Sequence, residues 1–315
     1  METVYHIPST LCYTELKGNS RRKAMPTHTV IIRPEMEGKS IRSIALNTAK
    51  MSSGQFKRAK FQGSILLNGE RVTADARVKA GQILELLVPE VTNSQPKAVH
   101  IPLSIVYEDQ SLWVIDKPAP MPSAPSMNRD TPTLENALFA QLGEPDNFIY
   151  RPVNRLDKGT SGLMIVAKDA HVQYLLQRML HTDDFVREYL AVVDGELPQE
   201  EGVIHLPIVK ADGATVRREV RADGKEARTF YRVIRKGERS LVRLKLDTGR
   251  THQIRVHMAY CGCPVTGDFL YGTERPEELP GRFALHSAMI VLRHPVNGEW
   301  MRFESELPGE LKKLL

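Results

Sequence analysis

Arg151-Pro-Val-Asn-Arg-Leu-Asp-Lys-Gly-Thr-Ser-Gly-Leu-Met-Ile-Val-Ala-Lys168 places a charged pair, Arg155 and Asp157, just before a Gly159-Thr-Ser-Gly162 turn and an apolar run. The run from Leu163 to Val166 predicts a buried strand. Turns beside such strands hold side chains at the mouth of a cleft, on a rigid scaffold. A carboxylate nucleophile is chemically reasonable there, although an exposed ion pair beside an ordinary turn has the same pattern.

A second charged segment, Asp247-Thr-Gly-Arg-Thr-His-Gln-Ile-Arg-Val-His-Met-Ala-Tyr-Cys-Gly262, predicts a helix that ends near its final glycine. Thr248 or Thr251 would supply the side-chain oxygen that caps the start of this helix. His252 and Arg255 then fall on one side of it, because they are three residues apart. An amphipathic surface helix would carry the same arginines, so the spacing alone leaves both interpretations open.

The histidines and cysteines of this segment do not predict a metal site. His252 and His257 are five residues apart, whereas a helical two-histidine zinc site places its ligands four apart. Cys261 and Cys263 form one close pair without a second pair, and the remaining cysteine is Cys12. We therefore expect free thiols, no metal and no disulfide framework.

Length and composition indicate the class of protein. The 315 residues are 41% hydrophobic and 26% charged, which excludes wholesale disorder and suggests two domains. No apolar run approaches the roughly 18 residues of a membrane-spanning helix. The first residues also lack the basic and apolar regions of a secretion signal. Together with the scarcity of cysteine, these features predict a cytoplasmic protein without a membrane partner.

The formal net charge of +5 is unevenly distributed along the chain. Residues 1–96 contain 14 Lys+Arg and 8 Asp+Glu, and residues 210–255 contain 14 Lys+Arg and 6 Asp+Glu. Two basic regions on an otherwise balanced chain indicate a polyanion partner such as a nucleic acid, although solvated basic surfaces are also common.

The N-terminal third of the chain predicts a small αβ module over residues 29–89, after an N-terminal extension at 1–28. Asn68-Gly69 is a residue pair that type I′ hairpin turns favour. The predicted elements are, in order, a strand at 30–32, a helix at 40–50, a helix between Ser52 or Ser53 and Gly63, a hairpin at 65–72 and a strand at 83–88.

This arrangement resembles the small RNA-binding module named after ribosomal small-subunit protein S-four. The resemblance implies an RNA-binding surface formed by Lys57, Arg58 and Lys60 on the second helix. The usual module has an Arg-Leu-Asp-like signature and a Ser-Arg pair at its two helix starts. This chain has Gly38-Lys39-Ser40-Ile41-Arg42 and Ser52-Ser53-Gly54-Gln55 at those places.

The remaining sequence, residues 101–315 after a polar linker at 90–100, predicts one larger mixed domain. Strands that pair largely antiparallel, with flanking helices, predict an α+β fold. The predicted elements are hairpins at 105–115 and 229–246, buried strands at 163–166 and 186–193, and helices at 134–142 and 170–180.

Taken together, the two charged segments closely resemble the RluA-type RNA pseudouridine synthases. The family patterns His-Arg-Leu-Asp-x-x-Thr-Ser-Gly and Thr-Gly-Arg-Thr-His-Gln-Ile-Arg-x-His are matched in order, with Asn154 in place of the first histidine. Arg187 stands where lysine is usual before x-Tyr. The resemblance implies the fold of that family, a mixed, largely antiparallel central sheet. Supporting matches between residues 105 and 308 are Glu108-Asp109, Lys117-Pro118, Arg187 to Gly195, Gly224 to Tyr231, Gly267 to Gly272, Leu285-His286 and His294-Pro295.

That family isomerises uridine within RNA, without a cofactor, by breaking the C1′–N1 bond, rotating the uracil and rejoining it through C5. The resemblance implies that Asp157 is the essential aspartate, which attacks C1′ or assists a glycal route. Arg255 would pair with this carboxylate, and Tyr189 would pack on the target base and assist proton transfer at C5. Leu156 and Ile254 would form apolar walls of the pocket.

The resemblance also implies that the target uridine is flipped out of the RNA, at a cost of a few kcal/mol. Arg155 matches the arginine that enters the RNA in place of the flipped base, because a planar guanidinium stacks on bases. The basic stretch at 210–255 would then contact phosphates. Further residues expected at the RNA are Asn154, Thr160, Arg250 and His252.

We therefore expect an isomerase that acts as a monomer on ribosomal RNA, with the large subunit favoured, or on transfer RNA, and that has no DNA partner. A non-catalytic RNA-binding factor would not require Asp157, Tyr189 and Arg255 together. A nucleoside hydrolase would require an acid–base pair poised to activate water, and no such pair stands out in the sequence.

Overall fold

The computed structural model describes residues 27–89, 95–125 and 131–315. These residues form two compact units, one within 27–49 and 53–89 and the other over 50–52 and from 95 onward. Residues 1–26 of the predicted extension and residues 90–94 of the predicted linker lie outside the described residues.

The first unit is a four-stranded antiparallel sheet with short helices. Its strand order is β1-β4-β2-β3. The elements are β1 Thr27–Ile31, a 3₁₀ turn Pro34–Met36, α1 Ile41–Ser43, a π-helical turn Ile44–Thr48, α2 Ser53–Phe61, β2 Ser64–Leu67, β3 Glu70–Arg71 and β4 Ile83–Leu87.

The sequence patterns of this unit correspond closely to its structure. Asn68 and Gly69 have φ of 54° and 82°, as the predicted type I′ turn requires. Ile41 and Ile44 are fully buried, as the predicted helical face requires. The first helix differs in its second half, where Ala49 N–H bonds the carbonyl of Ile44 and widens the turn.

The second unit is built on a nine-stranded mixed sheet and a separate two-stranded hairpin. The sheet order is β5-β6-β7-β14-β8-β13-β12-β9, with β15 also paired to β14. The strands are β5 Ser104–Glu108, β6 Leu112–Lys117, β7 Ser161–Ala167, β8 Phe185–Asp194, β9 Glu201–His205, β10 Ile208–Lys210, β11 Arg218–Val220, β12 Arg228–Arg235, β13 Arg239–Leu246, β14 Leu285–Arg293 and β15 Trp300–Glu304. The helices are α3 Leu134–Gln141, α4 Ala170–Met179, α5 Gln253–Tyr260 and α6 Gly309–Lys312.

The predicted α+β architecture with a largely antiparallel sheet is confirmed. Among the described strands, the pairing of β7 with β14 is the one parallel pair, and every other pair is antiparallel. Strand β7 is buried along its whole length because both faces of the sheet are covered. Met164 and Val166 join one apolar core, while Leu163 and Ile165 join the core on the opposite face.

The start of β7 is fixed against β14 by a glycine. Gly162 has φ of 105°, and a Cβ atom there would lie 2.3 Å from the carbonyl oxygen of Ser287. A side chain is therefore excluded both by conformation and by space. This close approach holds the preceding Arg155–Ser161 turn at the edge of the central strands.

The start of α5 differs from the prediction that Thr248 or Thr251 caps it. The N-cap residue is His252, in the left-handed conformation with φ of 59° and without a side-chain cap bond. Thr248 instead donates its hydroxyl to Oε1 of Gln253, at 2.8 Å. His252 therefore lies outside the regular helix, and its ring points in a different direction from that of a residue in helical conformation.

Among the described residues, no helix has the length and apolar character needed to span a bilayer.

Buried neutral histidines make the stability of this fold dependent on pH. Burial lowers the pKa of His257 and of His286 below the ordinary 6.5. Their rings are satisfied as neutral groups, for example by Thr229 Oγ1 at 2.9 Å from Nδ1 of His257 and by Ser161 Oγ at 2.9 Å from Nδ1 of His286. The unfolded chain therefore binds more protons than the folded chain just below pH 6.5.

We expect the free energy of unfolding to fall as the pH decreases from about 7.5 to 5.5, through the unfolded-state pKa and toward the lowered folded-state values. Urea denaturation across this range measures the slope. Replacing His286 by Gln should make the slope shallower, since glutamine does not titrate. A stability that stays constant over the whole range would contradict the expectation.

Candidate active site

Asp157 lies in the turn before β7, at a pocket beside the central strands. The turn is closed by the amide of Thr160, which donates to the Asp157 carbonyl at 3.1 Å. Asp157 Oδ2 accepts a hydrogen bond from Nη1 of Arg255 at 2.9 Å. Among the described residues, none donates a hydrogen bond to Oδ1, and the side chain is 28% exposed. The carboxylate is thus oriented through one oxygen and open at the other.

Arg255 is held by a second carboxylate, that of Asp268. Its Nε and Nη2 donate to Oδ2 and Oδ1 of Asp268 at 2.6 and 2.8 Å, a bidentate pair. Arg255 is 2% exposed and Asp268 is fully buried. Asp268 Oδ1 also accepts from the amides of Leu270 and Tyr271. Arg255 therefore has a fixed direction, and its remaining Nη1 points at Asp157.

Aromatic rings complete the surroundings of the Arg255 guanidinium. Its central carbon lies 4.1 Å from the ring centre of Phe283, 5.1 Å from that of Tyr271 and 5.6 Å from that of Phe269. Such contacts favour a desolvated cation. Burial alone would lower the pKa of Arg255, but the hydrogen bonds and charges of Asp268 and Asp157 raise it. The guanidinium is a permanent positive charge beside Asp157.

His252 faces Asp157 from the start of α5. Its Nε2 is 3.8 Å from Asp157 Oδ2, and its Nδ1 is 2.8 Å from the hydroxyl of Tyr271. That hydroxyl accepts the amide proton of Arg218 at 2.8 Å, so its own proton is available for Nδ1. The neutral ring then carries its proton on Nε2, toward the carboxylate. Burial lowers the pKa of His252 and so favours this neutral form, while the negative charge of Asp157 opposes the shift.

Tyr189 lies in the middle of the sheet, on β8, opposite Leu244 of β13 and Ser287 of β14. It is 5% exposed and lines the same pocket as Asp157. Burial raises the pKa of its hydroxyl, while the charge of Arg187 offsets part of the shift. Tyr189 therefore offers the pocket a rigid aromatic face and a protonated hydroxyl.

The pocket brings together most of the residues that the sequence predicted. Thr160, Ile254 and Leu156 contribute buried walls, while Arg155 is exposed at the mouth. The lining residues are Arg155, Leu156, Asp157, Thr160, Tyr189, Leu246, Arg250, His252, Gln253, Ile254, Arg255 and Leu285.

Asn154 does not reach this pocket. Its side chain is 5% exposed, and Oδ1 accepts the amide of Ile165 on β7 at 2.9 Å. Val153 N–H donates to the carbonyl of Ile165, so both backbone polar groups of Ile165 are bonded by residues 153 and 154. The placement differs from the predicted RNA contact: Asn154 holds the turn that presents Arg155 and Asp157.

The predicted N-terminal basic residues lie on α2, in the other compact unit. Lys57 and Lys60 are exposed, and Arg58 is half-buried. Lys60 lies 5.2 Å from the ring centre of Phe61, which is 74% exposed. The described part of this unit therefore presents cations beside an exposed aromatic ring.

Asp268, Tyr271 and Lys117 are site residues whose roles the sequence patterns did not reveal. Lys117 is fully buried beneath the turn, where Nζ donates to the carbonyls of Pro118 and Met121 at 2.9 and 2.7 Å. Burial lowers its pKa to about 7, and the positive charge of Arg282 contributes to the shift. A buried Arg255 requires a carboxylate, and this requirement is the one signal that could have singled out Asp268.

A larger cleft, of about 790 Å³, lies over β9, β12 and β13. Its floor includes Val203 and Tyr231. Four of its charged residues are already paired, Arg232 with Glu201 at 3.0 Å and Arg243 with Glu188 at 3.1 Å. No group of three or more His, Cys, Asp or Glu side chains in the described part of the chain could hold a metal ion. The arrangement with reactive potential is therefore the pocket at Asp157.

Known proteins are similar in sequence to the part of the chain that forms this pocket. The family model for RNA pseudouridylate synthase matches residues 111–260, which include Asp157, Tyr189 and Arg255. A protein of Bacillus subtilis (strain 168), named "Uncharacterized RNA pseudouridine synthase YjbO", is 38% identical over 256 residues, covering 80% of this chain and 90% of that protein. This chain belongs to the RNA pseudouridine synthase family.

The synthase is therefore an isomerase that acts on RNA, and the RluA-type resemblance of its motifs is confirmed. "Ribosomal large subunit pseudouridine synthase D" of Nitrosomonas europaea is 38% identical over 279 residues, with 83% of this chain and 80% of that protein covered. The solved structure of "Human RNA Pseudouridylate Synthase Domain Containing 1" covers 69% of this chain and 86% of that chain, with a TM-score of 0.54 and 24% identity. The similarity to this human structure concerns the fold alone.

Proposed function

We propose that the synthase converts uridine to pseudouridine in ribosomal RNA of the large subunit, using Asp157 as its catalytic carboxylate. The substrate is suggested by relatives named as large-subunit pseudouridine synthases, from Nitrosomonas europaea and from Vibrio cholerae, which are 38% and 35% identical to this chain. The single observation that carries the catalytic assignment is the geometry of Asp157, which is ion-paired through Oδ2 and open at Oδ1.

The reaction breaks the N1–C1′ bond, forms a C5–C1′ bond, moves a proton from C5 and leaves a proton on N1. The carboxylate of Asp157 forms an ion pair with Arg255 at 2.9 Å, and this contact orients it toward the pocket. Its open Oδ1 either bonds C1′ or removes a ribose proton on a glycal route. In both cases the hydrogen bond from Arg255 to Oδ2 fixes the direction in which Oδ1 faces the ribose.

Tyr189 serves the base rather than the ribose. Its ring is fixed by two neighbouring strands, so it offers a stacking surface against which the detached uracil can turn. Its hydroxyl remains protonated, because burial raises its pKa. We assign it to packing on the base and to assisting proton transfer at C5, in a pocket whose apolar walls include Ile254 and Leu156.

Base flipping is the step assigned to Arg155. A uridine stacked in RNA cannot enter this pocket unless it is extruded, and the gap it leaves has to be filled. Arg155 is exposed at the pocket mouth, two residues before Asp157, and the described residues provide no ion-pair partner for it. Its guanidinium is free to stack between bases and to contact phosphate.

The first compact unit is proposed to add RNA affinity through Lys57, Arg58 and Lys60. The exposed Phe61 beside Lys60 fits this role, since exposed aromatic rings stack on unpaired bases. We further propose that the synthase acts in the cytoplasm as a monomer.

The substrate is tested by mapping pseudouridines in all ribosomal and transfer RNAs from cells with and without the gene. We expect loss of pseudouridine from large-subunit ribosomal RNA, restored by the wild-type gene. Purified protein should then release tritium from a transcript of that RNA labelled at uridine C5. Loss confined to transfer RNA would assign the other substrate class, and an unchanged map together with no tritium release would overturn the proposed function.

Replacing Arg155 by Ala should reduce turnover of structured RNA by roughly 10²-fold or more, while leaving the melting temperature near that of the wild type. The melting temperature should stay the same because the Arg155 side chain is exposed and makes no described contact that supports the fold. Tritium release and thermal denaturation are measured on the same preparations. A melting temperature lowered as severely as the activity would show that Arg155 is structural.

A further inference from the structure

The β10–β11 hairpin places two positive charges directly opposite each other. Lys210 on β10 is the register partner of Arg218 on β11. Like charges at directly opposite positions destabilise a pair of antiparallel strands. A two-stranded hairpin outside the main sheet is only marginally stable. An anion bound between the two cations would therefore stabilise it.

No carboxylate among the described residues lies within ion-pair distance of Lys210 or Arg218. The acidic side chains of this region are already bound by one other arginine. Arg221 pairs with Asp212 at 2.9 Å, with Glu219 at 3.0 Å and with Asp223 at 2.7 Å. The three carboxylates therefore cluster around Arg221, and the two opposed cations have no ion-pair partner among the described residues.

These cations belong to a cleft with further basic residues. The cleft has a volume of about 460 Å³ and is also lined by Lys225 and Arg250. Lys225 is exposed and has no carboxylate partner in the described chain. Arg250 donates Nε to the Glu226 carbonyl at 2.9 Å, which leaves its two terminal nitrogens available. Four cations thus line one cleft whose one acidic residue, Asp223, is held by Arg221.

The cleft and the catalytic pocket share a lining residue. Arg250 lines both of them. The hairpin is also tied to the site through its backbone, because the Arg218 amide donates to Tyr271, whose hydroxyl bonds His252 beside Asp157. A polyanion bound in the cleft would therefore lie next to the pocket that holds the catalytic carboxylate.

We propose that this cleft binds the phosphates of the RNA strand next to the target uridine, with one phosphate bridged by Lys210 and Arg218. The proposal rests on the proposed function, since it concerns the same RNA. An extended strand with a negative charge at every nucleotide matches a row of unneutralised cations that ends at the pocket. The bridging phosphate relieves the repulsion across the hairpin, so the same two residues reduce stability in the free protein and add affinity in the complex.

The test measures the salt dependence of RNA binding. Affinities for a large-subunit ribosomal RNA transcript are determined by filter binding over a series of KCl concentrations. The variants are K210Q, R218Q, their combination, and K236Q as a matched control. Lys236 is an exposed lysine of the same basic stretch, but it is paired with Glu200 at 3.2 Å and does not line the cleft. R218Q keeps the backbone amide that bonds Tyr271.

We expect the combined substitution to reduce the slope of log K against log[KCl] by roughly 0.7–0.9, because one phosphate contact is lost, and each single substitution to reduce it by less. K236Q should leave the slope unchanged. The doubly substituted protein should melt at the same or a higher temperature than the wild type, which separates lost affinity from unfolding. KM for tritium release should rise more than kcat falls.

A slope for the combined variant equal to that of the wild type would overturn the proposal, and so would an equal reduction with K236Q. Failure of the proposed function has a different signature. In that case the wild-type protein releases no tritium from any RNA, whereas the slopes still report whether the cleft binds phosphates.

Discussion

Replacing Asp157 by Asn is expected to reduce tritium release from labelled RNA by at least about 10³-fold, the scale of effect seen when a nucleophile or base is removed. Asparagine has the shape of aspartate and can still accept the hydrogen bond of Arg255 Nη1. It has no negative charge, so it neither bonds C1′ nor removes a ribose proton. The loss therefore concerns chemistry and not the shape of the pocket.

The fold should tolerate this substitution. Arg255 keeps the two charge-assisted hydrogen bonds that Asp268 accepts from it, and Asp157 is itself partly exposed. RNA affinity and melting temperature should therefore remain close to those of the wild type. D183N is a suitable control, because Asp183 is exposed in the same unit and does not line the pocket. Release by D157N at the wild-type rate would remove Asp157 from the mechanism.

Replacing Asp268 by Asn should have the largest effect on stability, a decrease of about 3–5 kcal/mol in the free energy of unfolding. The substitution removes the charge that compensates a guanidinium that is 2% exposed. An amide accepts at one atom only, so the bidentate geometry is also lost. Asp157 then remains as the single carboxylate partner of Arg255, which would turn toward it and reduce activity as well.

Urea denaturation measures this effect, with E201Q as the matched control. Glu201 pairs with Arg232 at 3.0 Å, but both side chains are mostly exposed. Exposed ion pairs contribute little, since solvent screens them. A D268N protein as stable as E201Q would show that the charge of Asp268 is not what holds Arg255 in the interior.

Local elements could be predicted from the sequence where residues close together in the chain determine them. Asn68-Gly69 dictates its turn through positive φ, and a continuous apolar run dictates the buried strand β7. The pairing of Asp157 with Arg255 joins residues that are 98 positions apart, and no spacing rule predicts such a contact. It was predicted through the resemblance of the motifs to a family.

Other features depend on tertiary structure and could not be predicted. His252 is the N-cap of α5 in a left-handed conformation, and its ring lies near Tyr271 and Asp157, residues that are distant in the sequence. Asn154 was predicted to contact RNA from its place in a motif, yet its neighbour in space is the backbone of β7. Sequence proximity to a reactive residue does not show which way a side chain points.

The position of β14 has a consequence for the order in which the enzyme becomes active during its own synthesis. Strands β5, β6 and β7 lie on one side of β14 in the sheet, and β8, β13, β12 and β9 lie on the other. The first group carries the turn of Asp157, while the second carries Tyr189 and leads into the helix of Arg255. Both groups leave the ribosome before β14 does, yet β14 supplies the hydrogen bonds that join them. A nascent chain that ends before Leu285 therefore has every catalytic side chain but lacks the strand that brings them into one site.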